Sequence, residues 1–575
     1  MFRKLLSYLG KYKKTAMIAM FCVSAEVAFE LVIPFIMADI VDVGVATGDR
    51  AYILSKGAMM LLCALIALGL GIGSAYFSAV AGQGLGAELR KAEYKKIQSF
   101  SFANTDKFRT SSLITRLTSD ITTIQNSFST GLRPACRAPI MMIMGLGLSI
   151  YINWQLALVF FVGAPVLGIL LFLIIRKVRP LYAKMQGAID LVNRVIQENL
   201  TAIRVVKAYV RGDYEMQKFY EVNQNWRGIS ERAFRFASMN MAAMQLVMYT
   251  TILCILWFGG KLILGGSMQV GELTGFLSYV LQILNSLMMI SNVFLMMTRA
   301  LTSGRRIMEV MDEEVTLTDE DATDITVERG EIVFENVSFK YKEKAKEKVL
   351  SNISFHIKAG QTVGIIGQTG SAKSTLVQLI PRLYDATEGQ IYIDGKPIQQ
   401  YKLTHLRDAI AMVLQKNTLF SGTVKENLRW GKEDATEQEI EEACAIACVD
   451  EFIDRLKDGY DTELGQGGSN VSGGQKQRLC IARAILKRPK VLILDDSTSA
   501  VDTATEGKIR EGLQKTLADT TKIIIAQRIT SVLHADQIII LDNGKVNAIG
   551  DHETLLKTNE IYQDIYYSQQ EGAGL

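Results

Sequence analysis

At 575 residues the chain is longer than one hydrophobic core serves, so more than one domain is expected. An apolar fraction of 49% and a mean hydropathy of +0.17 exceed those of an ordinary soluble protein, and nearly all of the surplus lies before residue 300. The net charge of +4 excludes the strong basic footprint of a nucleic-acid binder, and the seven cysteines build no disulfide framework: Cys22, Cys63, Cys136 and Cys254 sit in apolar runs, and Cys444 and Cys448 sit four apart with no second pair nearby.

The N-terminus "MFRKLLSYLGKYKK" carries five basic residues and no acid, which places it on the cytoplasmic side of a membrane. A membrane-crossing helix needs about 20 mostly apolar residues. Six stretches qualify, near 15–42, 54–83, 132–152, 154–176, 240–264 and 273–299. Five later spans argue against cleavage of the first as a signal peptide. An even number of spans returns the chain to the cytoplasm, so both termini are expected there. The two long inner loops, 84–131 and 177–239, are basic and helix-like, while the outer connections are short. Several span helices should therefore continue as levers beyond the membrane. Within the first span, Glu26 and Glu30 lie one turn apart on one face. Carboxylates at that depth face a cavity or pair with a cation; Arg133 and Arg137 near the third span are the available partners.

Residues 301–330, with the acidic "MDEEVTLTDEDATD", read as a linker between a membrane domain at 1–300 and a soluble domain at 331–575. In the soluble part "EIVFENVSFKY" alternates like a strand. "TVGIIG", "VLILD", "KIIIA" and "QIIIL" read as short buried strands separated by helical segments, which predicts a parallel sheet in an α/β domain. The fold class is thus an all-α six-helix membrane domain followed by an α/β P-loop domain. "GQTGSAKST", Gly367 to Thr375, follows strand "TVGII" and precedes "KSTLVQLI". Such a loop cradles phosphates with backbone N–H groups; Lys373 suits the β/γ-phosphates and Ser374 a Mg²⁺ ion. A second glycine pair, "SGGQ" at Ser472–Gln475, opens a helix and makes another anion site. Asp495 and Asp496 close the buried strand "VLILD".

Loop, "SGGQ" and "LILDD", in this order after six spans, resemble the ATP-binding cassette family, in particular exporters whose half-transporters fuse six spans to one nucleotide-binding domain. The resemblance covers essentially the whole chain. It implies roles position by position. Tyr341 in "FKY" is similar to the aromatic that stacks on adenine. Gly367, Thr369, Gly370, Ser371, Ala372, Lys373, Ser374 and Thr375 lie in the Walker A loop. Gln415 in "MVLQKN" resembles the Q-loop glutamine that contacts Mg²⁺, with Ser374 and Asp495 as its companions. Ser472, Gly473, Gly474 and Gln475 are the signature, which in this family contacts ATP held by the opposite subunit. Asp495 is the Walker B carboxylate, and "SAVD" at Ser499–Asp502 is the D-loop.

Four departures from the family pattern stand out. Asp496 stands where a catalytic glutamate is expected, and its arm is one methylene shorter. Gln527 in "IIIAQRITS" stands where a switch histidine is expected; none of the four histidines, His356, His405, His534 and His552, occupies that place. Glutamine can hydrogen-bond a γ-phosphate but cannot carry a proton as histidine does. Ala372 replaces the glycine before the lysine, where a Cβ crowds the loop. Gln466 and Gly467 in "TELGQGG" replace a Glu-Arg pair. The signature is intact. The resemblance therefore implies a chain with a poor Walker side and a sound signature side: the degenerate half of a heterodimer whose partner, a second half-transporter, supplies the glutamate and histidine. A slow homodimer is the alternative.

The implied cargo is amphiphilic small molecules of the multidrug type, cationic ones where Glu26 and Glu30 face a cavity; lipid or peptide export by the same engine is the other reading. The Met-rich "SLMMISNVFLMM" could line an adaptable cavity. Coupling segments are expected near 104–116 and 211–217. ATP and Mg²⁺ are the implied cofactors, the lipid bilayer of a bacterial plasma membrane the implied setting, and no nucleic acid is expected.

Overall fold

The computed structural model describes residues 2–320, 322–342 and 345–572. The chain forms two compact units: Met1–Gln98 with Thr110–Glu313, and Ser99–Arg109 with Glu314–Leu575.

The first unit is helical. Six helices are long and apolar enough to cross a membrane: Gly10–Val45, Arg50–Gln98, Thr110–Ile152, Trp154–Thr201, Gly212–Leu264 and Val270–Met311. Each contains one of the spans expected from hydropathy. The second, fourth and fifth have 49, 48 and 53 residues. At about 1.5 Å per residue they reach roughly 70–80 Å, far beyond the hydrocarbon thickness of about 30 Å, so their polar ends continue as the expected levers. Val27, Leu31, Phe160, Ile255, Phe276 and Tyr279 anchor the core where these helices meet. Tyr279 Oη donates to the Leu31 carbonyl at 2.7 Å, which satisfies the one polar atom that this ring buries. The sixth helix is capped from the first: Asp42 accepts from the backbone N–H of Gly271 at 2.5 Å and of Glu272 at 2.9 Å. Gly271 is needed there, because a Cβ would sit 2.3 Å from the Ala38 carbonyl oxygen.

One boundary is corrected. The linker expected from residue 301 begins later, because the sixth helix runs to Met311. Ile307 and Met308 are buried in a core with Leu85, Leu89 and Ile121, Val310 is fully buried as well, and Arg306 pairs with Asp120 at 3.2 Å. Helical apolar spacing, masked by neighbouring charges, keeps this stretch folded.

The second unit carries two larger sheets and one two-stranded sheet. Its strands are β1 (Ile332–Phe339), β2 (Leu350–Ile357), β3 (Thr362–Ile366), β4 (Glu388–Ile393), β5 (Lys396–Pro397), β6 (Ile410–Val413), β7 (Gly422–Thr423), β8 (Glu463–Leu464), β9 (Val491–Asp495), β10 (Thr521–Ile525), β11 (Gln537–Asp542) and β12 (Lys545–Gly550). The larger sheet has the order β12-β11-β3-β10-β9-β6. Its four central strands are the four apolar runs read as a parallel sheet, and they pair in parallel, with β12 added antiparallel at the edge. A four-stranded antiparallel sheet, β2-β1-β4-β5, lies beside it. Two cores follow. One, with Phe334, Ile353, Ile365, Leu376 and Ile493, holds the P-loop strand and its helix. The other, with Val424, Leu428, Cys444, Leu479 and Leu492, packs helix Gly473–Leu486 on its neighbours. All seven cysteines are free, and burial pushes the Cys444 thiol up to about 12.

Segment Ser99–Arg109 belongs to this second unit although it lies between two span helices. Its short helix Phe102–Lys107 opens on a capping box of Ser101 and Asn104. Asn104 Nδ2 donates to the Glu314 carbonyl at 2.8 Å, and Phe102 packs 6.0 Å from the Tyr384 ring. Tyr384 Oη donates to Asp106 Oδ2 at 2.6 Å. The domain division at residue 300 drawn from hydropathy therefore misses this insert, whose apolar content is too low to register.

Candidate functional site

Strand β3 delivers Gly367 to the start of the phosphate loop. A Cβ at Gly367 would lie 2.1 Å from the Leu541 carbonyl oxygen on neighbouring β11, so only glycine fits the turn out of the sheet. Thr369 and Gly370 form the bend, Gly370 at φ 89°. Ala372 takes φ 70° and ψ 27°, a left-handed conformation that costs a residue with a Cβ about 1–2 kcal/mol. The expected strain at this alanine is thus a feature of the fold. Lys373 then starts the helix. Its Nζ donates to the Gly367 carbonyl at 2.8 Å, the Gln368 carbonyl at 2.9 Å and Ser371 Oγ at 3.4 Å. Burial holds the Lys373 ammonium below its ordinary range, opposed by the charges of Asp495 and Asp496.

With β10 between it and β3, β9 ends on Asp495, whose side chain is buried. Ser374 Oγ donates to Asp495 Oδ1 at 3.0 Å. Burial pushes the Asp495 carboxyl up, and the Ser374 bond acts against it. A hydroxyl and a carboxylate side by side at a phosphate loop are hard oxygen donors. They fit Mg²⁺, which takes one or two protein oxygens and completes its shell with phosphates and water. Gln415 follows β6 and acts to lower the Asp496 carboxyl.

Asp496 turns out of the strand at φ 47°, with its N–H on the Ile525 carbonyl at 3.0 Å. Gln527 Nε2 donates to Asp496 Oδ2 at 2.8 Å. The two atypical residues are therefore partners of each other. Burial raises the Asp496 carboxyl above its ordinary range, while Gln415, Gln527, Lys373 and Arg528 pull it down. The Gln527 amide thus orients one oxygen of the Asp496 carboxylate.

Tyr341 Oη lies 2.8 Å from Thr375 Oγ1, which fixes the ring against the phosphate-loop helix. The ring meets Tyr384 edge-on at 5.3 Å and Phe339 at 4.9 Å, and 45% of the residue stays exposed, so the ring is supported at its edges and open to a stacking base.

The signature opens a helix that packs in the other core. Ser472 caps helix Gly473–Leu486: its Oγ accepts from Gln475 N at 3.3 Å, and Gln475 Oε1 accepts from Ser472 N at 2.8 Å. A Cβ on Gly474 would lie 2.9 Å from the Ala500 carbonyl oxygen in the D-loop. Gln477 locks that loop, accepting from Ala500 N at 2.9 Å and donating to Ser499 Oγ at 3.3 Å. Gly467 takes φ 66°, a conformation that an arginine at that position would adopt only under strain.

Two family models match: residues 16–287 fit the ABC transporter transmembrane region, and residues 350–499 fit the ABC transporter model. An uncharacterized ABC transporter ATP-binding protein of Bacillus subtilis is 40% identical over 567 residues, covering 99% of this chain and 98% of that one. The chain belongs to the ABC transporter family. Other relatives of this ABC transporter are an ATP-dependent lipid A-core flippase of Desulfotalea psychrophila, 34% identical with 82% of each chain covered, and a putative multidrug export ATP-binding/permease protein of Bacillus subtilis, 31% identical with 99% of each covered. Its fold matches a bacterial Atm1-family ABC exporter solved with ATP bound, at a TM-score of 0.80 and 24% identity over 97% of this chain and 99% of that one. The transporter is thus a half-transporter with a membrane domain fused N-terminally to an ATP-binding domain.

In this ABC transporter the P-loop, Walker B pair, Gln415 and Gln527 converge, while Ser472–Gln475 joins the D-loop instead. Sequence reasoning passed over Tyr384 and Gln477. Tyr384, in "PRLYD", touches both Tyr341 and Asp106. Its only trace in the sequence is an aromatic one helix after the phosphate loop. Glu26 and Glu30 are both paired: Arg133 Nη2 and Arg137 Nη1 donate to Glu26 Oε1 at 2.7 and 2.8 Å, and Arg137 Nη2 donates to Glu30 Oε2 at 2.5 Å.

Proposed function

We propose that this ABC transporter exports amphiphilic small molecules across a bacterial plasma membrane, as one half of a dimer with a different half-transporter. Its own Walker side holds the slow ATP site, and its signature completes a fast site on the partner. The observation that carries this reading is the Gln527–Asp496 bond at 2.8 Å: the group in the glutamate position is short and already tied down by the group in the histidine position. Misplacing a reacting group by about 1 Å costs on the order of 10²-fold in rate.

In this reading Tyr341 receives the adenine and the loop N–H groups with Lys373 hold the phosphates. Ser374 and Asp495, with Gln415, would hold Mg²⁺, which neutralises phosphate charge when bound. Asp496 polarises water weakly, and Gln527 offers an N–H but moves no proton. Phosphoryl transfer of this kind rests on positioning and electrostatics, so a retracted carboxylate lowers turnover more than binding. Tyr384 links the adenine side to Asp106 within one compact unit, which supports Ser99–Arg109 as a coupling segment; residues 211–217 serve as the second. The lipid A-core flippase among the relatives keeps lipid export open as the second cargo reading.

The test is co-purification of the tagged chain expressed from its own chromosomal neighbourhood. The expected result is a one-to-one complex with a second half-transporter that has an Asp-Glu pair and a switch histidine. A homodimer with brisk ATPase activity overturns the proposal.

A further inference from the structure

Four charged side chains of the first and third spans form one unbroken ladder. In order along it stand Arg133, Glu26, Arg137 and Glu30, joined by contacts of 2.7, 2.8 and 2.5 Å. The signs alternate, so the array is neutral as a whole. The two inner members are the enclosed ones: the Glu26 side chain is 9% exposed and that of Arg137 18%. The two ends are open: Arg133 is 38% exposed and Glu30 35%. Gly71 of the second span closes over the first joint, where a Cβ would come within 3.3 Å of both Arg133 Nη2 and Glu26 Oε1.

Burying four charges among apolar spans is costly, and a single Glu–Arg pair would already tie the first and third spans. The second pair adds an exposed end of each sign. Arg133 keeps donor capacity beyond its one bond to Glu26, and Glu30 is reached, among the described residues, by Arg137 alone. Glu26 and Glu30 are four residues apart, as are Arg133 and Arg137, so the open cation and open anion are offset by roughly 6 Å along the helices. A purely cationic head would meet Glu30 but be repelled at Arg133; a purely anionic one meets the reverse. A head with both charges a few bonds apart satisfies both ends.

We propose that the Arg133–Glu26–Arg137–Glu30 ladder is a recognition site for zwitterionic amphiphiles, with Arg133 taking the anionic group and Glu30 the cationic group. This rests on the export reading and narrows its cargo class.

The test is equilibrium binding, without nucleotide, to the full-length protein in discs of an uncharged glycolipid. Three fluorescent single-chain amphiphiles share one tail and carry a phosphocholine, a trimethylammonium or a phosphate head. Phosphocholine should bind about tenfold tighter than either single-charge head, the scale of one lost charge contact in a partly desolvated site. Glu30→Gln should move the preference to phosphate and Arg133→Gln to trimethylammonium, while Arg133→Lys keeps the wild-type order. Competition by chain-free glycerophosphocholine would mark a water-soluble zwitterion as the source, and failure to compete a membrane lipid. The same order in wild type and both neutralised variants, or a single-charge head binding tightest to wild type, overturns the proposal; the wild-type comparison needs no variant to fold. ATP-driven movement is read separately in inside-out vesicles. Movement without head-group preference sinks this inference alone, and preference without movement sinks the export reading alone.

Discussion

The Walker side and the signature side of this chain are built with different care for the chemistry that they share. On the signature side every feature serves one geometry: Ser472 and Gln475 cap the helix reciprocally, Gly474 leaves room for the Ala500 carbonyl, and Gln477 holds the D-loop from below. On the Walker side the scaffold is equally well packed, yet the groups nearest the reaction are the unusual ones. Ala372 sits in a left-handed turn, and Asp496 is bonded to Gln527. The difference teaches that the fold's demands and the reaction's demands separate within one domain. Phosphate binding needs the loop, Lys373, Ser374 and Asp495, which are all in place. Hydrolysis needs a carboxylate that meets water, and the proposed slow site follows from the shorter arm of Asp496 and its bond to Gln527.

The comparison breaks most easily at Gly474. In a complex with the proposed partner half-transporter, Gly474→Ala pushes a methyl against the D-loop carbonyl and should cut ATPase turnover by about 10²-fold, the scale of an ångström-sized misplacement at the reacting centre. Asp496→Asn in the same complex should change turnover by less than about twofold, because on the proposed asymmetry it alters the slow site. Comparable losses from the two variants would erase the asymmetry. The Walker side has a further tie at Tyr384. Tyr384→Phe removes the 2.6 Å bond to Asp106 and should cost about 1.5–3 kcal/mol of stability, as expected for a hydrogen bond to a charged group, measured by denaturant unfolding of the full-length chain. The smallest expected effect is at the loop itself. Ala372→Gly relieves a φ of 70° and should stabilise the domain by up to about 1 kcal/mol, visible as a raised midpoint of thermal unfolding.

Much of this was legible in the chain. Six apolar runs marked the six helices, because a spanning helix hides its polar backbone within itself and so leaves a long apolar record. Four short β-rich runs marked the centre of the parallel sheet for a similar reason, being buried on both faces. The phosphate loop and the signature were legible because backbone donors need glycine at set spacings. Three features were not. Residues 301–311 looked like linker because helical spacing over three turns is easily hidden by acidic neighbours. Ser99–Arg109 looked like part of a lever because its contacts are to residues more than 200 positions away, such as Thr316 and Tyr384. The Gln527–Asp496 bond joins the ends of β10 and β9, and strand order is not written in either strand alone.

The most direct measurement is ATP turnover by the purified chain, compared between the wild type and the double variant Asp496→Glu with Gln527→His. Restoring the longer carboxylate and a proton-carrying partner should raise turnover by about 10–10²-fold with little change in ATP affinity, the range for a positioned general base. Brisk turnover by the wild type that the double variant leaves unchanged or lowers would contradict the account, and would mean that Asp496 and Gln527 are competent as they stand.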